Sequence, residues 1–395
     1  MVHLVSCRRV TCVIRRFQSK SSSFGPTYAS SHKLALGSPR LPFPCESRLS
    51  TAEINTGRQS VEPPTPSQQA ASEQAAPASA LPVLERPVTT QRQQVKWIYA
   101  GVVTSFHLLL PLVFVPYFFS WYGVLWLPLG NYIFCTMGIG AGYHRLLTHR
   151  GYQCPSWLEY TFSLLGLCCI QDTPARWVAV HRVHHNNSDE QPDPHSPLVT
   201  WFWGHMGWLF VENAEFGKLA TFEKYTRDLM RQPFYRWLER RYNWLWVLIG
   251  HAVIITGLGA VYGALRYGDT PTIVQCAAQW FLWGVVVRVI YTWHITWGVN
   301  SFAHMFGYRN YETLDNSRNC WYIGLATNGE GWHNNHHADP RSAIHGHQWW
   351  EIDLTYRSLW LLEKCGLVWN IIKPRRLNEL QEVPPVEGEE TWKLS

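Results

Sequence analysis

Between Trp97 and Tyr143 the chain carries no Asp, Glu, Lys or Arg. Such a stretch has room for two membrane crossings, since one spanning helix needs about 20 apolar residues. Charge is scarce throughout, at 16% of residues, where an ordinary soluble domain carries roughly 25%. Acidic residues are also missing before Glu46, although seven basic ones (Arg8, Arg9, Arg15, Arg16, Lys20, Lys33 and Arg40) precede it. The net charge of +6 is therefore concentrated in an N-terminal extension. No patch of interleaved basic and aromatic residues accompanies it, which excludes a nucleic-acid partner. Ten cysteines are present without a single CxxC pair, and Cys168 and Cys169 are neighbours that a relaxed disulfide cannot join. They read as small buried apolar side chains in reducing surroundings.

What is present divides into three parts. Residues 1–92 are rich in Ser, Pro, Gln, Ala and Arg without apolar periodicity. Such a segment cannot offset its ordering entropy and is expected to be disordered. Its acid-free start has the composition of an organellar transit peptide. Residues 93–372 hold the apolar runs and all the motifs below, and 373–395 form a tail. Spans are expected at about 97–119, 121–143, 242–265 and 273–299, the last with Arg288 inside it. Trp and Tyr mark many of their ends, as at a membrane interface. Arg86, Arg92 and Lys96 flank the first span, which places both termini and the long 144–241 segment on the cytoplasmic side or its equivalent. The expected fold is an all-α integral membrane protein with four transmembrane helices under a cytosolic helical cap.

Three clusters hold eight of the 18 histidines: His144-Arg-Leu-Leu-Thr-His149, His181-Arg-Val-His184-His185 and His333-Asn-Asn-His336-His337. In the second and third, positions i, i+3 and i+4 share one helical face, so three imidazoles can converge. His144 and His149 do not share a face of a regular helix, so the second span is expected to end between them, near Gly151. All three boxes fall at one membrane face. A lone surface histidine is usually not a ligand, but this concentration is metal ligation. Eight or nine nitrogens exceed one metal's coordination sphere, so two metals follow. Zinc needs only four ligands and has no redox role. Imidazole-rich ligation of two metals suits iron and O2 chemistry, with copper as the alternative.

The boxes resemble those of the membrane fatty acid desaturase family. Flanking segments sharpen the resemblance toward the acyl-CoA (delta-9) branch and related acyl-lipid enzymes. They are Gly138–Gly142, Asp193-Pro194-His195, Gly329-Glu330-Gly331-Trp332, and Thr296–His304, over a matched range of about 95–372. The resemblance implies two iron ions held by His144, His149, His181, His184, His185, His304, His333, His336 and His337, with Asn300 contacting the site through water. It also implies that Arg182 helps hold the acyl carrier and that Trp177, Thr296 and Trp297 line an acyl tunnel. For Trp177 and Trp297 the alternative is an interfacial aromatic. Asp193, Glu330 and Asp339 lie beside the boxes and are candidates to accept the second N–H of a metal-bound histidine. His205 is expected to be structural, and His345 and His347 match no ligand spacing.

The implied reaction is O2-dependent insertion of a cis double bond into a saturated acyl chain on CoA or a lipid. Breaking two strong C–H bonds is beyond side-chain acid–base chemistry, so a cofactor must supply it. No His-Pro-Gly-Gly haem motif of a fused cytochrome b5 domain occurs. Electrons are therefore expected from a separate cytochrome b5 or ferredoxin. Fatty acyl hydroxylation or another oxygenation on the same scaffold is the alternative, and the boxes alone do not separate the two. A bis-histidine haem or metal-transport protein fits less well, because these histidines lie outside the spans on one side.

Overall fold

The computed structural model describes residues 83–216 and 219–375. Most of the expected extension, with its targeting composition, and most of the expected tail therefore lie outside the described residues. Four helices are long and apolar enough to cross a membrane: Trp97–Phe114, Trp121–Thr148, Asn243–Arg266 and Thr270–His304. They correspond to the four expected spans. The windows of the first and third are only 11% buried, whereas those of the second and fourth are 50% and 56% buried. The second and fourth spans thus form the centre, and the other two pad them toward lipid.

Both central spans outrun the membrane, with 28 and 35 residues where a bilayer is crossed by about 20. The extra turns carry His144 and His304 into the cap. The second span ends at Thr148, between His144 and His149 as expected, with His149 as its C-cap. Its Asn131–Thr148 portion is a π-helix, and the His149 N–H donates to the His144 carbonyl at 3.2 Å. An i→i+5 turn returns residues five apart to one face. The two rings accordingly lie 4.8 Å apart, centroid to centroid.

The second span is held closely by α1 (Ser156–Leu167). At their crossing Gly138 meets Gly166, and a Cβ on Gly138 would fall inside the Gly166 backbone. Neither backbone can retreat without disturbing the ligand-bearing turns above. Gly138→Ala is therefore expected to destabilise the protein by about 1–3 kcal/mol, visible as a lowered Tm of the detergent-solubilised protein.

The cap further contains α2 (Pro174–Asn186), α3 (Trp201–His205), α4 (His333–Ala338) and α5 (Leu354–Lys364). It also includes a small sheet that the sequence reading missed. Strand β1 (Thr90–Val95) pairs antiparallel with β2 (Val211–Asn213), with Thr90 opposite Asn213 and Gln91 opposite Glu212. Upstream of it the Val88 N–H donates to Gln191 Oε1, and the Arg86 guanidinium lies over the Trp203 ring. Residues 83–92, expected to belong to the extension, thus make contacts with the cap that short-range polarity concealed. His205, expected to be structural, links the cap to the spans. Its ring contacts Ser301 Oγ at 2.9 Å and His294 Nδ1 at 3.0 Å, and His294 Nε2 reaches His107 Nε2 at 3.0 Å.

Candidate metal centre

Four separate elements deliver the histidines. The second span ends in His144 and His149, α2 presents His181, His184 and His185, the fourth span ends in His304, and α4 presents His333, His336 and His337. They form two groups. The first contains His144, His149, His181, His185 and His336; the second contains His184, His304, His333 and His337. The eight box histidines and His304 are all included, and they divide five and four.

The donor set fits a metal in each group. In the first, Nε2 atoms approach in pairs: His144–His336 at 3.0 Å, His181–His185 at 3.1 Å and His185–His336 at 3.0 Å. In the second, His304 and His333 approach at 3.1 Å through Nε2. Adjacent nitrogens at right angles around a metal, each bonded at about 2.1 Å, would be about 3.0 Å apart. The Nε2 atoms of His149, His184 and His337 are buried with no hydrogen-bond partner. Orphaned lone pairs of this kind are costly unless something is bound to them.

Carboxylates fix the orientation. His144 Nδ1 bonds Glu330, His184 Nδ1 bonds Asp193 at 3.0 Å, His304 Nδ1 bonds Asp189 at 2.9 Å, and His337 Nδ1 bonds Asp315. An ionised carboxylate only accepts, so each Nδ1 carries the proton and each Nε2 keeps its lone pair inward. Of the three carboxylates picked from the sequence, Asp193 and Glu330 contact ligands. Asp339 does not: its carboxylate takes the Arg375 backbone N–H at 2.9 Å and its guanidinium at 3.4 Å. Asp189 and Asp315 were missed.

Other residues support this arrangement. Buried Arg145 donates to Glu330 Oε1 at 2.7 Å, to Asp353 Oδ2 at 2.8 Å and to the Ala343 carbonyl at 2.8 Å. The two asparagines inside the third box hold α4 in place. Asn334 Oδ1 accepts from the Asn310 and Tyr311 N–H groups, and Asn335 Nδ2 donates to Glu351 and the His345 carbonyl. His345, set aside on spacing, is fully buried, with its ring 4.5 Å from that of His336 and Nδ1 3.5 Å from Glu330. His347 bonds the Tyr311 hydroxyl instead.

The expected substrate residues are more dispersed. Trp177 stacks on His181 at 4.8 Å and lies 6.1 Å from His144. Thr296 accepts from Gln171 at 2.6 Å, and Trp297 stacks on Trp293 at 5.5 Å. Asn300 lies on the fourth span one turn before His304, and its amide pairs with no protein group among the described residues. Arg182 is committed elsewhere. Its guanidinium bridges Asp228 at 2.9 and 3.0 Å and the carbonyls of Leu147, Thr148 and Tyr225. Few donors remain to it for an acyl carrier, so it clamps the end of the second span to the cap.

Burial, reinforced by neighbouring imidazoles, holds His149, His181, His185, His333 and His336 well below the ordinary histidine pKa. These groups bind protons more readily when unfolded. Their neutral form therefore favours folding fully above the unfolded value near pH 6.5, and that contribution is lost as pH falls below it. Each would cost about 1.4 kcal/mol per pH unit there. Metal-stripped protein moved from pH 7.5 to 5.5 is expected to lose Tm more steeply than a single proton allows.

With this geometry established, comparison with known proteins decides the family. A sequence model of the fatty acid desaturase family matches residues 120–369. The chain belongs to the fatty acid desaturase family. Among similar curated proteins is a sn-1 stearoyl-lipid 9-desaturase of Anabaena variabilis, 36% identical over 72% of this chain and 96% of the relative. Another, a sn-1 stearoyl-lipid 9-desaturase of Synechocystis, is 39% identical over 75% of this chain and 85% of the relative. An acyl-CoA C20 Delta5-desaturase of Anemone leveillei is 37% identical over 77% of this chain and 94% of the relative. This desaturase is thus similar to relatives named for lipid-linked and for CoA-linked chains alike.

Proposed function

We propose that this desaturase inserts a cis double bond at the delta-9 position of a saturated fatty acyl chain, on a lipid or on CoA, with two irons at the paired histidine groups. The observation that carries the reading is the convergence of nine histidines in two groups, the first of which lies against Trp177. Iron held there would supply O2 activation and hydrogen abstraction, chemistry no side chain in the site can provide. The overall balance joins one saturated chain, one O2, two electrons and two protons to give the alkene and two waters.

The protein's part is position and environment. Trp177 closes one wall against His181, while the Gln171–Thr296 hydrogen bond ties α2's approach to the fourth span. A chain lying along these side chains would present one methylene pair to the metals, and its reach would set the double-bond position. The carboxylates hold the Nδ1 protons away from the centre, so the lone pairs stay available. Asn300 would carry a water toward the metals. A cavity of about 460 Å³ opens beside His149 and His185, bordered by Arg182 and Lys224. It offers a separate donor, cytochrome b5 or ferredoxin, a short route to the first group. The cap would face the cytoplasm or its organellar equivalent, with the 1–92 extension supplying any targeting.

The test is fatty acid profiling by gas chromatography–mass spectrometry, with double-bond location, in a desaturase-deficient host. The host supplies both donor types and both acyl carriers. A new cis-9 monoene is the expected product. Hydroxylated chains in its place would keep the metal centre and overturn the reaction.

A further inference from the structure

The two histidine groups differ in a respect that the family assignment does not address. In the second group three of the four imidazoles hand their Nδ1 proton to a carboxylate: His184 to Asp193, His304 to Asp189 and His337 to Asp315. In the first group one of five does so, His144 to Glu330, and no other histidine of that group makes an ion pair with a carboxylate among the described residues.

The carboxylates are also differently balanced. Glu330 is paired at 2.7 Å with buried Arg145, a guanidinium it shares with Asp353. Asp189 is otherwise held by the Ser196 hydroxyl and the Asn316 N–H, Asp193 by backbone N–H groups, and Asp315 by Ser317 and Thr313. No Lys or Arg forms an ion pair with any of these three among the described residues. The second group is therefore bordered by three carboxylates with no direct Lys or Arg partner among the described residues, and the first by Glu330, which shares one arginine with Asp353.

A carboxylate-bonded imidazole is a stronger donor to its metal, and nearby negative charge favours the higher oxidation state. We propose that Asp189, Asp193 and Asp315 are positioning residues that make the two metal positions electronically unequal, so that the metal in the second group is the more easily oxidised. This rests on the di-iron reading above. The change at each iron is loss of one electron, taken by an added chemical oxidant during titration and in turnover ultimately by O2.

The experiment uses the full chain in detergent, loaded with 57Fe, with metal analysis and Mössbauer spectra recorded through a stepwise oxidative titration. Two irons per chain are expected, as two ferrous doublets of which one disappears first. Asp315→Asn keeps an oxygen acceptor but removes the charge. It should move the early doublet alone and disfavour that iron's oxidation about tenfold, or about 59 mV. Asp189→Asn should do the same if the first variant fails to accumulate, whereas Glu330→Gln should leave the early doublet in place. Two irons that oxidise together, or an Asp315→Asn shift shared by both doublets, would overturn the inference and leave the di-iron reading standing. Fewer than two irons would remove the reading and the inference with it.

Discussion

Replacing His184 with Ala is expected to abolish product while leaving the protein in the membrane. His184 sits on α2 with its ring buried, its Nδ1 on Asp193 and its Nε2 facing the second histidine group without a partner. Truncation removes one of only four nitrogens there and strands a fully buried carboxylate. Losing a residue that merely supports a ligand costs about 10–100-fold in metal affinity or activity. Loss of the ligand itself should exceed that, taking product below detection and metal content below that of the parent. The spans do not depend on His184, so the variant should still extract with the membrane fraction. Asp193→Asn should fall between the parent and His184→Ala in both product and bound metal. Full activity in His184→Ala would sink the assignment of the second group.

Arg145→Met should be the most damaging change outside the ligands. Its guanidinium is completely buried and joins Glu330, Asp353 and the Ala343 carbonyl. Removing it leaves two carboxylates facing each other without compensation, and breaking a buried pair in this way costs about 3–5 kcal/mol. The damage would reach the metals, because the Glu330 that Arg145 holds is the acceptor for His144. Thermal unfolding of the solubilised protein should show a drop of many degrees or no folded species. The triple variant Arg145→Met, Glu330→Gln, Asp353→Asn should recover part of the lost stability, because no unpaired charge remains. It should not recover activity, since His144 would lose its carboxylate. A single variant as stable as the parent would show that the network is dispensable.

Much of this centre could be read from the sequence because its ligands cluster locally. The i, i+3, i+4 spacing in the second and third boxes is a property of one helix and needs no knowledge of the fold. Glu330 and Asp193 could be guessed from adjacency. The same rule failed at Asp339, because the chain turns away after α4 and that carboxylate meets Arg375. Asp315 stands 22 residues before the histidine it supports, and Asp189 stands 115 residues before His304. No local pattern announces such a pairing. His304 itself was reached only by resemblance, and His345 was passed over because its place beside His336 depends on a returning loop. Arg182, expected by resemblance to help hold the acyl carrier, bonds Asp228, a partner 46 residues on that no local pattern announces. At His144 and His149 the spacing was read with the wrong helix in mind. Only the π-turn places both rings in one group.

The distance along the chain between partners also sets an order of events during synthesis. His144 and His336 meet ring to ring across 192 residues, and each group draws ligands from both the second and third boxes. While the ribosome is still producing the fourth span, neither group has its full complement of nitrogens. The four helices must therefore settle into the bilayer as an apoprotein, with the imidazoles of α2 waiting at the surface for α4. Metal loading is then a late step that can be caught separately. A nascent chain stalled before His333 should be membrane-inserted and metal-free, and release of the remaining segment should be what makes it bind.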